Sequence, residues 1–256
     1  MASCELTFRS SELSMDVKVT VIIPENRRKY ELIEGKKYKA LYILHGHSED
    51  NSSWMNSSNL YVNVRDLDCY VFMVSAYNSA YINTSYDFKM HDYLVNELPI
   101  RMANIFPISL KREDNYLMGE SMGGYGCWYT GFTNPEKYSK IVPLSLGPGD
   151  PEHPFRLMGK VCSDPDSEEY NICRLLKKQY DAGKELPEVF TMCGTEDFGY
   201  ETTKLFMAYV EKECPNLKIK AEYWSGKHDF FFWNEAIPKA IEFLGLSKNQ
   251  ENANQL

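Results

Sequence analysis

A chain of 256 residues, 43% of them hydrophobic, has room for one large α/β domain or two small ones and enough apolar mass to bury a core. That excludes a disordered protein. A net charge of −8, with no Lys/Arg cluster interleaved with aromatics, argues against a nucleic-acid partner or an anionic membrane surface.

Residues 1–6 have neither the basic nor the apolar stretch of a signal peptide, and no apolar run is long enough to span a bilayer. Seven cysteines, an odd count, contain no C-x-x-C pair and sit mostly among apolar or aromatic neighbours, as Cys69, Cys127 and Cys193 do. Reduced buried thiols and a cytoplasmic location are the expectation.

In chain order, residues 16–24 alternate Val17, Val19 and Val21 with polar neighbours, which predicts a half-buried strand. Residues 38–44 and 69–74 are continuous apolar runs of the kind that fill central strands. Between residues 86 and 106, Leu94, Leu98, Met102 and Ile105 fall on one helical face, with a kink expected at Pro99. Tyr116-Leu117-Met118 reads as a strand entering a helix, and residues 140–146 and 188–193 as further strands. A helical pattern at 202–210, an alternating stretch at 217–224 and a last helix carrying Trp233, Ile237, Ile241 and Leu244 complete the series. Strands alternating with helices imply a mostly parallel central sheet with helices on both faces. Residues 147–187 are rich in Pro, Gly and acids and interrupt this rhythm. They read as a small cap insertion within one domain, with a short helix near 172–180, and the tail at 247–256 as frayed.

Between the fourth of these strands and its helix stands Gly119-Glu120-Ser121-Met122-Gly123. A G-x-S-x-G spacing lifts a serine hydroxyl clear of a sheet on a sharp turn, and the flanking positions must lack side chains where the strand and helix crowd each other. The N–H of Met122, opening the helix, then points where an oxyanion would form. Three such fixed positions match by chance about once in 3,000 windows, so the surroundings must decide.

A serine nucleophile needs a base, and the base needs an acid to orient it. Of the five histidines, His153 and His228 follow Ser121, and only His228 also follows an acid at a strand end. That acid is Asp197, just beyond the strand at 188–193, while His228 lies just beyond 217–224. Glu196 and Asp229 are rival acids, each adjacent to a favoured residue, and the residues alone leave that choice open. A second oxyanion donor is expected in the turn after 38–44, where Gly46 would let the His47 N–H face a substrate carbonyl. His45 and His47 with Asp50 or His91 also form a conceivable zinc site, but no third ligand stands at diagnostic spacing, so no metal is expected.

His45-Gly46, Trp54, Tyr93-Leu94 with Glu97-Leu98-Pro99, the Gly119–Gly126 motif, Cys193-Gly194-Thr195-Glu196-Asp197 and Gly226-Lys227-His228-Asp229-Phe230 with Trp233 together resemble the esterase D-like branch of the α/β-hydrolases. The tributyrin-esterase and feruloyl-esterase-like members are the nearest in pattern. The likeness runs from about Val17 to Leu244 and implies the α/β-hydrolase fold. It also implies the roles: Ser121 nucleophile, Asp197 acid, His228 base, with His47 and Met122 as backbone donors.

The expected activity is therefore hydrolysis of short-chain or aromatic acyl esters, including acylated sugars, through an acyl-enzyme and without a cofactor. A small-molecule ester is the expected partner, and a homo-oligomer is compatible with the chain. Trp54, Tyr77, Tyr81, Phe198 and Trp233 are candidates to line the substrate pocket. An S-formylglutathione-type thioesterase and an acyltransferase are rivals on the same fold, and a non-catalytic binding module is a rival from another class.

Overall fold

The computed structural model describes residues 2–24, 35–153, 161 and 167–246. Eight strands form one sheet: β1 (Ala2–Arg9), β2 (Asp16–Ile23), β3 (Lys39–Leu44), β4 (Cys69–Val74), β5 (Asn115–Glu120), β6 (Lys140–Leu144), β7 (Glu188–Gly194) and β8 (Ile219–Trp224). Their order across the sheet is β1-β2-β4-β3-β5-β6-β7-β8. The pairs β1–β2 and β2–β4 are antiparallel, and every pair from β4 to β8 is parallel.

The helices are α1 (Ser53–Ser57), α2 (Leu60–Val64), α3 (Met90–Asp92), α4 (Leu98–Ile105), α5 (Met122–Thr133), α6 (Ile172–Asp181), α7 (Tyr200–Glu213) and α8 (Phe230–Leu244). They divide between the two faces of the sheet, and the period-2 geometry of the strands follows that division. On β3, Ala40, Tyr42 and Leu44 point into the core shared with α3–α7, while Leu41 and Ile43 point into the core shared with α1, α2 and α8. Both faces of β4 and β5 are covered, so every residue of those strands is buried. This is why Cys69–Val74 and the Tyr116-Leu117-Met118 centre of β5 read as apolar runs rather than as alternation.

Two prolines inside helical segments leave carbonyls that no helical N–H can reach, and each finds another donor. Pro99 follows a π-type turn at Tyr93–Glu97, and the Val95 carbonyl accepts instead from the Lys137 ammonium at 2.6 Å. Pro238 lies within α8, and the Asn234 carbonyl accepts from the Asn59 side chain at 3.1 Å, while the Asn59 N–H donates to the Asn234 side chain at 2.7 Å. Leu94, Leu98 and Met102 are buried as expected, but Ile105 is exposed. It is the last residue of α4, and Phe106 takes its place against the sheet, packing on Tyr70 and Phe72 with ring centres 5.1 and 6.0 Å away.

The 147–187 segment contains α6, whose buried face is Ile172, Cys173 and Leu176. Residues 154–160 and 162–166 of the expected cap, and the expected frayed tail at 247–256, lie outside the described residues.

Candidate active site

The turn between β5 and α5 holds Ser121 at φ 54°, ψ −118°, a backbone conformation that costs a non-glycine residue of order 1–3 kcal/mol. The surroundings enforce it. Ser121 donates its N–H to the Leu144 carbonyl on β6 and accepts from the Tyr125 N–H, both at 3.0 Å. A side chain on Gly119 would meet the Gly123 backbone at 2.7 Å, and one on Gly123 would meet the Leu44 carbonyl oxygen at 2.1 Å. Strand and helix therefore touch through bare backbone, and the serine hydroxyl is left at the carboxyl edge of the sheet.

Two further loops at the same edge converge on it. His228, after β8, has Nε2 at 2.8 Å from the Ser121 Oγ. Asp197, after β7, places Oδ1 and Oδ2 at 3.0 and 2.9 Å from His228 Nδ1, and its carboxyl is fully buried. With Nδ1–H donating to Asp197, the free Nε2 can accept the serine proton. The Gly199 N–H also donates to Asp197 Oδ1 at 2.7 Å, which fixes the carboxyl plane.

The rival acids are engaged elsewhere. Asp229 caps α8 by accepting from the Phe231 and Phe232 N–H groups at 3.1 Å. Glu196 accepts from the Ser225 hydroxyl at 2.9 Å.

Ser121 and His228 open into a cleft of about 610 Å³, within the range of small-molecule sites. Its apolar lining is Met122 and Tyr125 from α5, Leu146 after β6, Val161, and the aromatic group Phe198, Phe230 and Trp233. Its polar lining includes His47, Glu49, Asn78, Glu120 and Asp229, with Gly46 among them. No lysine or arginine lines it among the described residues. Phe198 stands 69% exposed with its ring 4.2 Å from the His228 ring, and Trp233 meets that imidazole edge-on at 5.2 Å. The indole N–H of Trp233 is anchored on the Ser145 hydroxyl at 2.8 Å.

Of the candidate pocket aromatics, Phe198 and Trp233 line this cleft, and Trp54 and Tyr81 do not. Trp54 is buried one layer back, edge-on to Phe230 at 5.7 Å. Tyr81 lies beneath the turn, its ring against Gly126 and its hydroxyl donating to the His45 carbonyl at 2.9 Å. Both support the walls rather than form them. Tyr77 is half-exposed and packs on Phe88, away from the lining.

His47 lines the cleft after β3, and Met122 opens α5, where its N–H has no carbonyl within the helix to bond. His45 is spent on structure. Its Nε2 accepts from the Ala76 N–H at 2.9 Å and its Nδ1 lies 2.7 Å from the Gly46 carbonyl, a pairing that assigns the neutral Nδ1–H tautomer. Burial lowers its pKa further, so it stays uncharged. No group of three His, Cys, Asp or Glu side chains among the described residues could hold a metal ion.

The family model described as "Putative esterase" matches residues 10–244. The chain belongs to this esterase family.

The esterase is 25% identical over 264 residues to an acetyl esterase of Caldicellulosiruptor saccharolyticus, covering 95% of this chain and 98% of that one. Among solved structures it is similar to the fluorophosphonate-binding serine hydrolase FphF of Staphylococcus aureus. Identity is 30%, TM-score 0.86, and coverage 96% and 99%. It is also similar to the S-formylglutathione hydrolase FrmB of the same organism, with 30% identity, TM-score 0.81, and coverage of 95% and 98%. A ferulic acid esterase at 19% identity and TM-score 0.76 shares the fold. The fold is that of the α/β-hydrolases, and the esterase is a carboxylic ester hydrolase. No helix among its described residues is long and apolar enough to cross a membrane.

Other lining residues, among them Glu49, Asn78, Glu120 and Phe230, escaped the sequence reading as site candidates. Asn78 carries no pattern that separates it from an ordinary loop residue, and Phe230 enters only as part of the motif around His228. Glu120 did carry a signal, since a carboxyl inside the elbow that follows Tyr116-Leu117-Met118 is an unexpected residue type, whereas Glu49 sits among Ser48, Asp50 and Asn51 and carries none.

Proposed function

We propose that the esterase cleaves esters of short or aromatic acyl groups through an acyl-enzyme on Ser121. The observation that carries this reading is the continuous relay from Ser121 through His228 to Asp197, at 2.8 and 2.9 Å. His228 Nε2 takes the serine proton as Oγ bonds to the carbonyl carbon, and the carbonyl oxygen becomes an oxyanion. The N–H groups of His47 and Met122 stabilise that charge, each donor of this kind lowering the barrier by about 3 kcal/mol. Collapse breaks the ester C–O bond, and His228 returns the proton to the departing alkoxide. Water, deprotonated by the same imidazole, then releases the acid and regenerates Ser121. Buried Asp197 stabilises the imidazolium in both halves.

The apolar lining of Met122, Tyr125 and Leu146 supports an acyl subsite of limited length. The polar lining of His47, Glu49 and Asn78 supports an alcohol that carries hydroxyl groups, as a sugar does. A panel of p-nitrophenyl esters from acetate to dodecanoate, with methyl ferulate and acetylated xylan, tests this. Each methylene that found room would add about 0.8 kcal/mol, close to fourfold in kcat/KM. The expected optimum is at two to four carbons or at feruloyl. A steady rise through dodecanoate refutes the short subsite.

Similarity to an S-formylglutathione hydrolase supports a second reading, thioester hydrolysis on the same relay. The cleft disfavours it. Glutathione is a net anion, and here it would meet Glu49 and Asp229 with no lysine or arginine among the described lining residues. Turnover of S-formylglutathione above that of p-nitrophenyl acetate would reverse this preference. Ser121→Ala should abolish turnover of both and labelling by a fluorophosphonate, with the fold retained.

A further inference from the structure

Glu120 immediately precedes Ser121, is 1% exposed, and leaves both carboxyl oxygens without a hydrogen-bond partner. Its carboxyl lies directly against the turn that follows β3. A side chain on Gly46 would meet Glu120 Oε2 at 2.5 Å and Oε1 at 2.7 Å. The groups that face it are the half-buried Glu49 carboxyl and the Gly46 N–H, and that N–H also donates to Glu49 Oε2 at 3.4 Å.

The other titratable neighbours are Tyr81 from the 75–89 loop and Cys127 from α5, both buried and held protonated by that burial. His45, on the far side of Gly46, is neutral and bonded to the backbone. No cation faces Glu120 among the described residues. Two carboxyls cannot both be ionised in such a place, and a proton is the one occupant that needs no added volume.

We propose that Glu120 is a positioning residue of the oxyanion hole: a neutral carboxylic acid that donates its proton to Glu49 and so holds the Gly46–His47 turn beneath the substrate carbonyl. The assignment rests on the esterase reading for its kinetic consequence, but not for the protonation itself. Burial first, and the Glu49 charge second, push the Glu120 carboxyl well above the ordinary carboxylate range. When alkali finally removes the proton, the two like charges repel across Gly46, and the His47 N–H leaves the position from which it meets the oxyanion. Binding of the substrate's remote parts is untouched, so the loss falls on kcat rather than KM.

Three measurements decide it. In wild type and in Ser121→Ala, infrared spectra at neutral pH should contain a protonated carboxylic acid band that Glu120→Gln lacks. This readout stands whether or not the protein turns over esters. In kinetics, Glu120→Leu should lower kcat by about tenfold to a hundredfold with KM little changed, the loss expected when one oxyanion donor is misplaced. Glu120→Gln, whose amide can donate to Glu49 as the acid does, should rescue most of that loss. It should also lack the alkaline fall in kcat that wild type has. An alkaline limb identical in wild type and Glu120→Gln, or the absence of the acid band, overturns the proposal. So does a rise in melting temperature on adding Na⁺ or Ca²⁺ to wild type but not to Glu120→Gln, since a cation would then be the occupant. Should Glu120→Leu fail to fold, the spectra and the Glu120→Gln profile still decide.

Discussion

Replacing Asp197 by Asn removes one charge and adds two hydrogens, yet the geometry makes its effect on His228 specific. Asp197 Oδ1 accepts the Gly199 N–H at 2.7 Å, so the atom at that position must remain an acceptor. The asparagine oxygen is therefore held there, and its NH₂ takes the place of Oδ2, 2.9 Å from His228 Nδ1. An NH₂ at that distance donates to Nδ1 and drives the imidazole proton to Nε2. Nε2–H then points at the Ser121 Oγ, 2.8 Å away, and cannot accept its proton. A wrong tautomer of this kind costs about 10⁴ in kcat, which corresponds to about 5.4 kcal/mol of barrier. The acylation burst with p-nitrophenyl acetate, read beside the labelling rate of a fluorophosphonate, should fall together by that factor while the melting temperature changes little. Glu196→Gln and Asp229→Asn should each stay within tenfold of wild type, because those carboxyls bond Ser225 and the start of α8 instead. A loss below tenfold for Asp197→Asn, or a larger one for Glu196→Gln, refutes the tautomer argument.

Gly123→Ala should prevent soluble expression or cost about 3 kcal/mol or more, since its methyl would sit 2.1 Å from a backbone oxygen that cannot move without breaking β3. Normal thermal stability of that variant would mean the elbow is looser than it stands here. Burial pushes the Glu97 carboxyl up, but bonds from Ser10, Ser11, Glu12 and Arg101 outweigh it and hold it below the ordinary carboxylate range. Its stabilisation is present above the ordinary value of 4.5 and is lost as pH falls through the lower folded value. Glu97→Gln should accordingly cost about 1–3 kcal/mol at neutral pH in urea unfolding, and the gap to wild type should close in acid. A gap that widens in acid contradicts this sign. Phe198→Ala opens one face of the His228 ring to water and should lower kcat/KM severalfold without altering stability, the ring being mostly exposed.

Much of the fold was legible because burial on both faces leaves a crude mark: β4, β3 after Lys39 and the Tyr116-Leu117-Met118 centre of β5 are apolar runs, and α8 keeps its stripe through Pro238. The edge was harder to see. In β1, Cys4, Leu6 and Phe8 alternate over one half-covered face, so the signal was present but weak beside the question of a leader peptide. The helices α1 and α2 have five residues each, too few for any period to register. In the site, chain order and strand ends drew attention to Ser121, Asp197 and His228, but which carboxylate faces His228 depends on loop geometry that composition does not encode. Aromatic identity misled at Trp54 and Tyr81. A large ring near a catalytic loop packs behind the wall as readily as it forms the wall, and only depth separates the two.

The charge of the cleft bears on the end of the catalytic cycle as much as on its start. A neutral ester enters past Glu49 and Asp229 without penalty, but the carboxylic acid it yields ionises on release and becomes an anion among anions, with no lysine or arginine among the described lining residues to retain it. Such a lining is expected to admit the uncharged form more readily than it retains the charged one. Accumulated acetate should inhibit the esterase only weakly, and more so as added salt screens the repulsion.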